Sequence, residues 1–167
     1  ENNINGIYDK KKANENDLQS IISEIKQEKI NGINVTVPFK KAVIPYLDKL
    51  STEAQQTQSV NTILLNNNNL IGHNTDILGF ANAIKNIKFN IEGKKILILG
   101  AGGVVPSIIF ALKKMNVSEI KVCNRTKQKA EDLKILFKKL NVVEWGDLPD
   151  FDVIINATSL GLNNEII

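Results

Sequence analysis

One cysteine, one histidine, one tryptophan and one methionine are all that this 167-residue chain holds of those four types. The lone Cys123 excludes an intrachain disulfide framework and any cysteine-cluster zinc site, and it suits a reducing compartment. The lone His73 rules out a multi-histidine metal site and leaves a structural role as its default, so no metal is expected. No apolar run approaches the length of a membrane span, and no signal-peptide pattern opens the chain. Aromatic residues are only 5% of the total and the net charge is only +3. The lysines are spread through helical stretches without interleaved aromatics, which describes a solvated surface and not a nucleic-acid interface. These absences together predict a soluble, cytoplasmic protein with neither nucleic acid nor membrane as a partner. The chain starts at Glu1 without Met and stops at Ile167 soon after a strand-like run, as a piece of a longer polypeptide would.

What is present suffices for one ordinary domain or two small lobes, with 43% hydrophobic residues. The first half is organised around Asn34, Val35, Thr36, Val37, Pro38, Phe39 and Lys40. Ile33, Val35 and Val37 alternate with the period of a half-buried strand, placing Asn34 and Thr36 on the other face. Pro38 ends the ladder, because it has no backbone donor. Lys40 is then expected in the first turn of a helix at a strand's end, where open α/β sheets keep their ligands. Upstream, Leu18, Ile21, Ile22 and Ile25 have helical spacing, with Asp17 as the expected cap. Downstream, Pro45 should interrupt a helical stretch over 42–47, and Ser51 or Thr52 should cap a short helix. Residues 60–65 and 70–73 flank an asparagine-rich turn and read as a β-hairpin. Thr75 or Asp76 then caps a helix carrying Ile77, Phe80, Ala81 and Ile84.

Residues 90–93 read as a joint. After it, 95–99 is the near-continuous apolar run of a strand buried on both faces, followed at once by Gly100, Ala101, Gly102, Gly103 and Val104 and then a helix. Strands at 120–123, 142–143 and 153–156, with a second helix over 127–140, complete an alternating pattern that predicts a doubly wound parallel sheet. A glycine-rich turn between buried strand and helix lets backbone N–H groups and the helix N-terminus approach a pyrophosphate. After the second strand, where an acidic residue would accept from a ribose 2′-hydroxyl, stand Asn124, Arg125 and Thr126. Arg125 can make charge-assisted bonds to a 2′-phosphate, so NADP is favoured over NAD. In the first half, Lys40 and Asp76 are titratable groups at element boundaries beside polar neighbours, a pair able to pass a proton during hydride transfer. By spacing alone, most lysines are solvated and an Asp at a helix start is more often a cap than a catalyst.

Six blocks in order resemble the shikimate dehydrogenase family: 34–40, Ser59-Val60-Asn61-Thr62, Gly72-His73-Asn74-Thr75-Asp76, 100–103, 124–126 and Asn156-Ala157-Thr158-Ser159-Leu160-Gly161. The resemblance implies an N-terminal α/β substrate-binding lobe over 1–90 and a Rossmann-like NADP-binding lobe over 91–167, each incomplete at its outer end. It implies NADPH-dependent reduction of 3-dehydroshikimate to shikimate in aromatic amino-acid biosynthesis, by a monomer or homodimer. The catalytic residues it implies are Lys40 and Asp76, with substrate contacts at Thr36, Lys40, Asn61 and Asp76. Its cofactor contacts fall on Gly100, Ala101, Gly102, Gly103, Val104, Asn124, Arg125, Thr126, Asn156, Thr158 and Ser159. The chain departs from the family pattern at Gln58, Ile77 and Val105–Pro106. It also lacks the family's N-terminal serine pair and C-terminal Tyr and Gln contacts. Alternatives are a quinate/shikimate dehydrogenase using NAD or NADP, and a catalytically silent NADP-binding paralogue. A glutamyl-tRNA reductase would need a nucleophilic cysteine in the first lobe, and Cys123 lies in the second.

Overall fold

The computed structural model describes residues 5–161 and holds two four-stranded sheets, one in each half of the chain. The order is α1 (Leu18–Lys26), β1 (Gly32–Asn34), β2 (Lys49–Leu50), α2 (Thr52–Thr57), β3 (Thr62–Asn66), β4 (Asn69–His73) and α3 (Asp76–Asn86). Next come β5 (Lys95–Leu99), α4 (Val105–Lys114), β6 (Glu119–Cys123), α5 (Lys127–Asp132), β7 (Asn141–Val142) and β8 (Val153–Asn156).

The first sheet runs β1-β3-β4-β2. Its centre is the expected hairpin, in which Asn67 and Asn68 take φ of 46° and 60°. A two-residue loop with both φ positive has the twist that antiparallel strands need, and asparagine tolerates it better than other L-residues. The edge strand β2 lies parallel to β4 and is too short to show a period in the sequence. Helix α1 covers this sheet, seating Leu18, Ile22 and Ile25 against Val43, Val60 and Ile63. Each such fully buried aliphatic side chain is worth about 1.5–3 kcal/mol.

The second sheet is entirely parallel, in the order β7-β6-β5-β8. Ile96 and Ile98 of β5 meet Val105, Ile109 and Leu112 of α4 in its core. Pro106 sits in the first turn of α4, where no internal donor is required. Phe80 and Ile84 of α3 also pack onto this second core, so α3 begins beside the first sheet and ends against the second.

Several local expectations are corrected. Asp17 stands at the N-cap of α1 as expected but makes no side-chain cap bond to that helix. Its Oδ2 accepts from Asn14 N instead, while Asn14 caps the 3₁₀ turn Glu15–Asp17, its side chain accepting from Asn16 N. Strand β1 ends at Asn34, and Val37, expected on the half-buried face, is 72% exposed. Lys40 lies in consecutive turns and not in a helix. Phe39 N bonds Thr36 O and Ile44 N bonds Lys41 O, whereas Val43 N bonds Phe39 O, so three- and four-residue spacings alternate between two donorless prolines. Pro45 falls in a 3₁₀ turn, Ile44–Tyr46. The helix over 127–140 stops at Asp132 and gives way to a 3₁₀ turn, Leu133–Ile135. Leu133, Phe137 and Leu140 are all buried nonetheless, so their spacing is satisfied without a regular helix. Ser51 caps α2 as expected, its Oγ accepting from Ala54 N at 3.2 Å.

Asp48 ties the first sheet to α1: its carboxylate accepts from Leu70 N at 2.8 Å and meets Lys26 Nζ at 3.2 Å. The Leu70 N–H, then Lys26, hold the carboxyl below its usual range. A depressed folded-state pKa gives stability that is present at neutral pH and lost as pH falls through the folded value. Asp48→Ala is therefore expected to melt below the parent at pH 7. The gap should close on acidification below about pH 4, the range in which free aspartate protonates. Calorimetric Tm across pH checks this, and a gap that persists at pH 2 would refute it.

Candidate active site

The turns after β1 deliver Lys40 beside the start of β3, and Val60 N donates to Lys40 O at 2.8 Å, fixing the lysine backbone. Its ammonium reaches Asp76 Oδ2 at 2.6 Å, the side chains being 16% and 24% exposed. This is a short charge-assisted bond in a partly dry setting, where such bonds are strongest. The other carboxylate oxygen, Oδ1, accepts from Asn61 Nδ2 at 2.8 Å. Asn61 is itself buried and oriented: its Oδ1 accepts from Thr75 N at 3.0 Å and from Thr62 Oγ1 at 3.1 Å. Thr62 Oγ1 in turn accepts from Asn34 Nδ2 at 3.3 Å, across the Asn34–Thr62 strand register. Lys40, Asp76 and Asn61 thus converge as expected.

Thr36 does not join them. It is exposed and lines a separate hollow of about 570 Å³ with Tyr8, Asn34 and Phe39. The Thr62 and Thr75 hydroxyls and Asn34 were not expected in the cluster. Their signal was the cross-strand pairing, which places them on one face only once the register is known. Thr75 caps nothing with its side chain, and Asn74 Oδ1 accepts from Asp76 N in that place. Gln58 has φ +49°, which accounts for glycine being usual at a position of this conformation.

Lys40 also lines a cleft of about 1000 Å³ whose opposite wall is Gly102, Gly103 and Lys129. Gly100 leaves β5 with φ +107°, and a Cβ there would stand 2.8 Å from Ala157 O. Gly102 and Gly103 differ: a Cβ on either would meet nothing within 4 Å, so their backbones are open to an incoming group. Asn124 Oδ1 accepts from Ala101 N at 3.2 Å and Asn124 Nδ2 donates to Thr126 O at 2.8 Å, joining the glycine turn to the Arg125 loop. Arg125 and Thr126 are exposed, and Arg125 forms no salt bridge among the described residues, whereas Lys127 pairs with Glu144. Val104 immediately precedes α4, its carbonyl accepting from Ser107 N and Ile108 N. Asn156 and Thr158 bond one another and line a different hollow, an apolar one of about 400 Å³ with Leu97, Trp145 and Leu160. Ser159 is exposed beside it. Burial pushes the Cys123 thiol up, which keeps it protonated and removes it as a nucleophile. Among the described residues no group of three or more His, Cys, Asp or Glu could hold a metal, and no helix is long and apolar enough to cross a membrane.

This arrangement can be set against known proteins. Residues 1–63 match the shikimate dehydrogenase substrate binding domain, and residues 81–163 match the shikimate / quinate 5-dehydrogenase family. The chain belongs to the shikimate dehydrogenase family. It is 51% identical over 162 residues to shikimate dehydrogenase (NADP(+)) of Pelagibacter ubique, covering 97% of this chain and 61% of that protein. It is 36% identical to the enzyme of the same name from Caldanaerobacter subterraneus, at 98% and 61% coverage. Among solved structures, shikimate dehydrogenase from Aquifex aeolicus superposes with a TM-score of 0.80 at 39% identity, over 90% of this chain and 56% of that one. The Thermus thermophilus enzyme in complex with NADP(H) and shikimate gives 0.78 at 35% identity, over 88% and 55%. The chain therefore spans about three fifths of the length of the curated shikimate dehydrogenases it matches.

Proposed function

We propose that this chain carries the proton-handling and cofactor-binding parts of an NADP-dependent shikimate dehydrogenase that interconverts 3-dehydroshikimate and shikimate. Residues 1–90 form the substrate lobe and 91–167 the cofactor lobe. The observation that carries this reading is the Lys40–Asp76 pair at 2.6 Å, with Lys40 lining the cleft opposite Gly102 and Gly103.

The glycine turn fits a dinucleotide, because its outward positions are clear and α4 rises from it with its positive end towards the cleft. Gly100, Ala101, Gly102, Gly103 and Val104 would hold the pyrophosphate, and Asn124, Arg125 and Thr126 the adenosine phosphate. Asn156, Thr158 and Ser159 complete the cofactor set by the family resemblance. NADPH, when bound, supplies the hydride to the ketone carbon. Asp76 takes one ammonium hydrogen of Lys40, which leaves two N–H groups for the substrate oxygen. Lys40 polarises the ketone and gives up a proton as the alcohol forms, and Asp76 keeps the lysine aimed. Asn61 Nδ2 donates to Asp76 Oδ1 and so fixes the carboxylate plane. The family resemblance assigns substrate contacts to Asn61 and Thr36, Thr36 from the separate hollow it lines with Asn34 and Phe39.

The test is nicotinamide absorbance on mixing the protein with NADP+ and shikimate. Reduction with shikimate supports the reading, and silence with both shikimate and quinate refutes it. The cofactor assignment predicts that Arg125→Ala weakens NADP+ binding by about tenfold while leaving NAD+ nearly unchanged, as loss of a charge-assisted hydrogen bond should. Titration calorimetry with the two nucleotides checks it, and an equal loss for both would overturn the role of Arg125.

A further inference from the structure

Three buried polar side chains meet where the halves of the chain touch. Asn74 is 6% exposed, Thr57 1% and Ser107 0%. Asn74 Nδ2 donates to Thr57 Oγ1 at 3.0 Å and to Ser107 Oγ at 2.9 Å, and Asn74 Oδ1 accepts from Asp76 N at 3.0 Å. The Thr57 proton goes to Glu53 O at 2.7 Å, so Thr57 can only accept from Asn74. One amide therefore commits both donors and its acceptor to three elements: the end of α2, the first residue of α3 and the buried face of α4. In a dry interior such an amide has one satisfied orientation, since any rotation strands at least one of these groups.

The residue held by the amide oxygen is Asp76, and the helix held by the amide nitrogen is the one that rises from the glycine turn. We propose that Asn74, anchored by Ser107, is a positioning residue that registers the Asp76 carboxylate against α4. The placement of Asp76 on Lys40 then depends on a contact made in the other lobe. An aspartate at position 74 would lack the two donors, and an apolar residue would lack both functions, so the geometry requires an amide. The functional part of this inference rests on the reading that Lys40 and Asp76 handle the proton.

The test is a double-mutant cycle combined with a spectroscopic probe. Ser107→Ala removes the α4 acceptor alone, and Asp76→Asn removes the carboxylate. The expected result is that Ser107→Ala lowers kcat by about tenfold when Asp76 is present, a misplacement effect, and has no further effect in the Asp76→Asn background. An equal factor in both backgrounds would overturn the proposal. Independently of turnover, reductive ¹³C-methylation of the lysines gives an NMR resonance for Lys40, assigned by its loss in Lys40→Arg. That resonance should shift in Asp76→Asn and, in the same direction, in Ser107→Ala. A lowered Tm with an unmoved Lys40 resonance would make the cluster merely structural and overturn the proposal. Should Ser107→Ala fail to fold, Ser107→Cys, which keeps the side-chain shape and replaces the α4 hydroxyl by a weak acceptor, strands the same amide hydrogen and is read in the same way. A parent protein that oxidises neither shikimate nor quinate refutes the proposed function, and the NMR arm still judges the positioning role.

Discussion

Lys40→Ala is expected to lower kcat for shikimate oxidation by about 10²–10⁴-fold, the range for loss of a positioned acid–base group. The geometry sets the sign and the pattern. Lys40 makes the shortest contact of the cluster, to Asp76 at 2.6 Å, and it is the member that lines the cleft facing the glycine turn. Its backbone is anchored separately by the Val60 N–H, so truncating the side chain leaves the turns of residues 37–43 in place. Asn61, Thr62 and Thr75 bond one another without it. The loss should therefore appear in kcat, with the dissociation constant of shikimate changed far less, the mark of an interaction used mainly in the transition state. Asp76 left without its cation keeps Asn61 as a partner, so the fold should survive. Steady-state kinetics and equilibrium binding of shikimate check both halves. A variant with parental kcat would remove Lys40 from the chemistry.

Gly100→Ala is expected to destabilise the protein by about 2–4 kcal/mol, the combined effect of a left-handed φ and an overpacked contact. The backbone there has φ +107°, and the new Cβ would stand 2.8 Å from Ala157 O and 3.1 Å from Thr158 Cγ2. Both neighbours belong to the segment that follows β8, and Ala157 N is itself bonded to Leu99 O, so neither can withdraw without breaking the β5–β8 pairing. Gly102→Ala supplies the contrast. Its Cβ would enter open space, so folding stability should change by less than about 0.5 kcal/mol, as for an ordinary surface substitution. NADP+ binding should nevertheless fall, because the methyl group occupies the approach to the turn. Chemical denaturation and nucleotide titration of the two variants separate the effects. Equal stability losses would show that the two glycines are not divided between structure and ligand approach.

How far the sequence announces these features depends on how local they are. The hairpin is legible because Asn67 and Asn68 are residues that tolerate positive φ between two apolar runs, and the turn needs nothing else. The second sheet is legible because 95–99 is apolar throughout, which only a strand covered on both faces requires. Lys40 is different. Its chemistry is legible from motif and resemblance, but its backbone is not, since alternating three- and four-residue hydrogen bonds between two prolines carry no period. Helix α5 ends earlier than the pattern over 127–140 predicts, for the opposite reason: Leu133, Phe137 and Leu140 have helical spacing that an irregular chain can also bury. The network Asn34–Thr62–Asn61–Thr75 is not legible at all from one strand, because it exists only through the pairing of β1 with β3 and the packing of α3 beside them. Asn74 is hidden in the same way, its partners Thr57 and Ser107 lying 17 and 33 positions away.

The path of α3 has a mechanical consequence. An eleven-residue helix is a rod of about 16 Å at 1.5 Å per residue. Its first residue holds Lys40, while Phe80 and Ile84, farther along, are packed on the core of the second sheet. Asp76 is thus the tip of a rod whose shaft is seated on the second core, so the carboxylate that meets Lys40 takes its position from both halves of the chain at once.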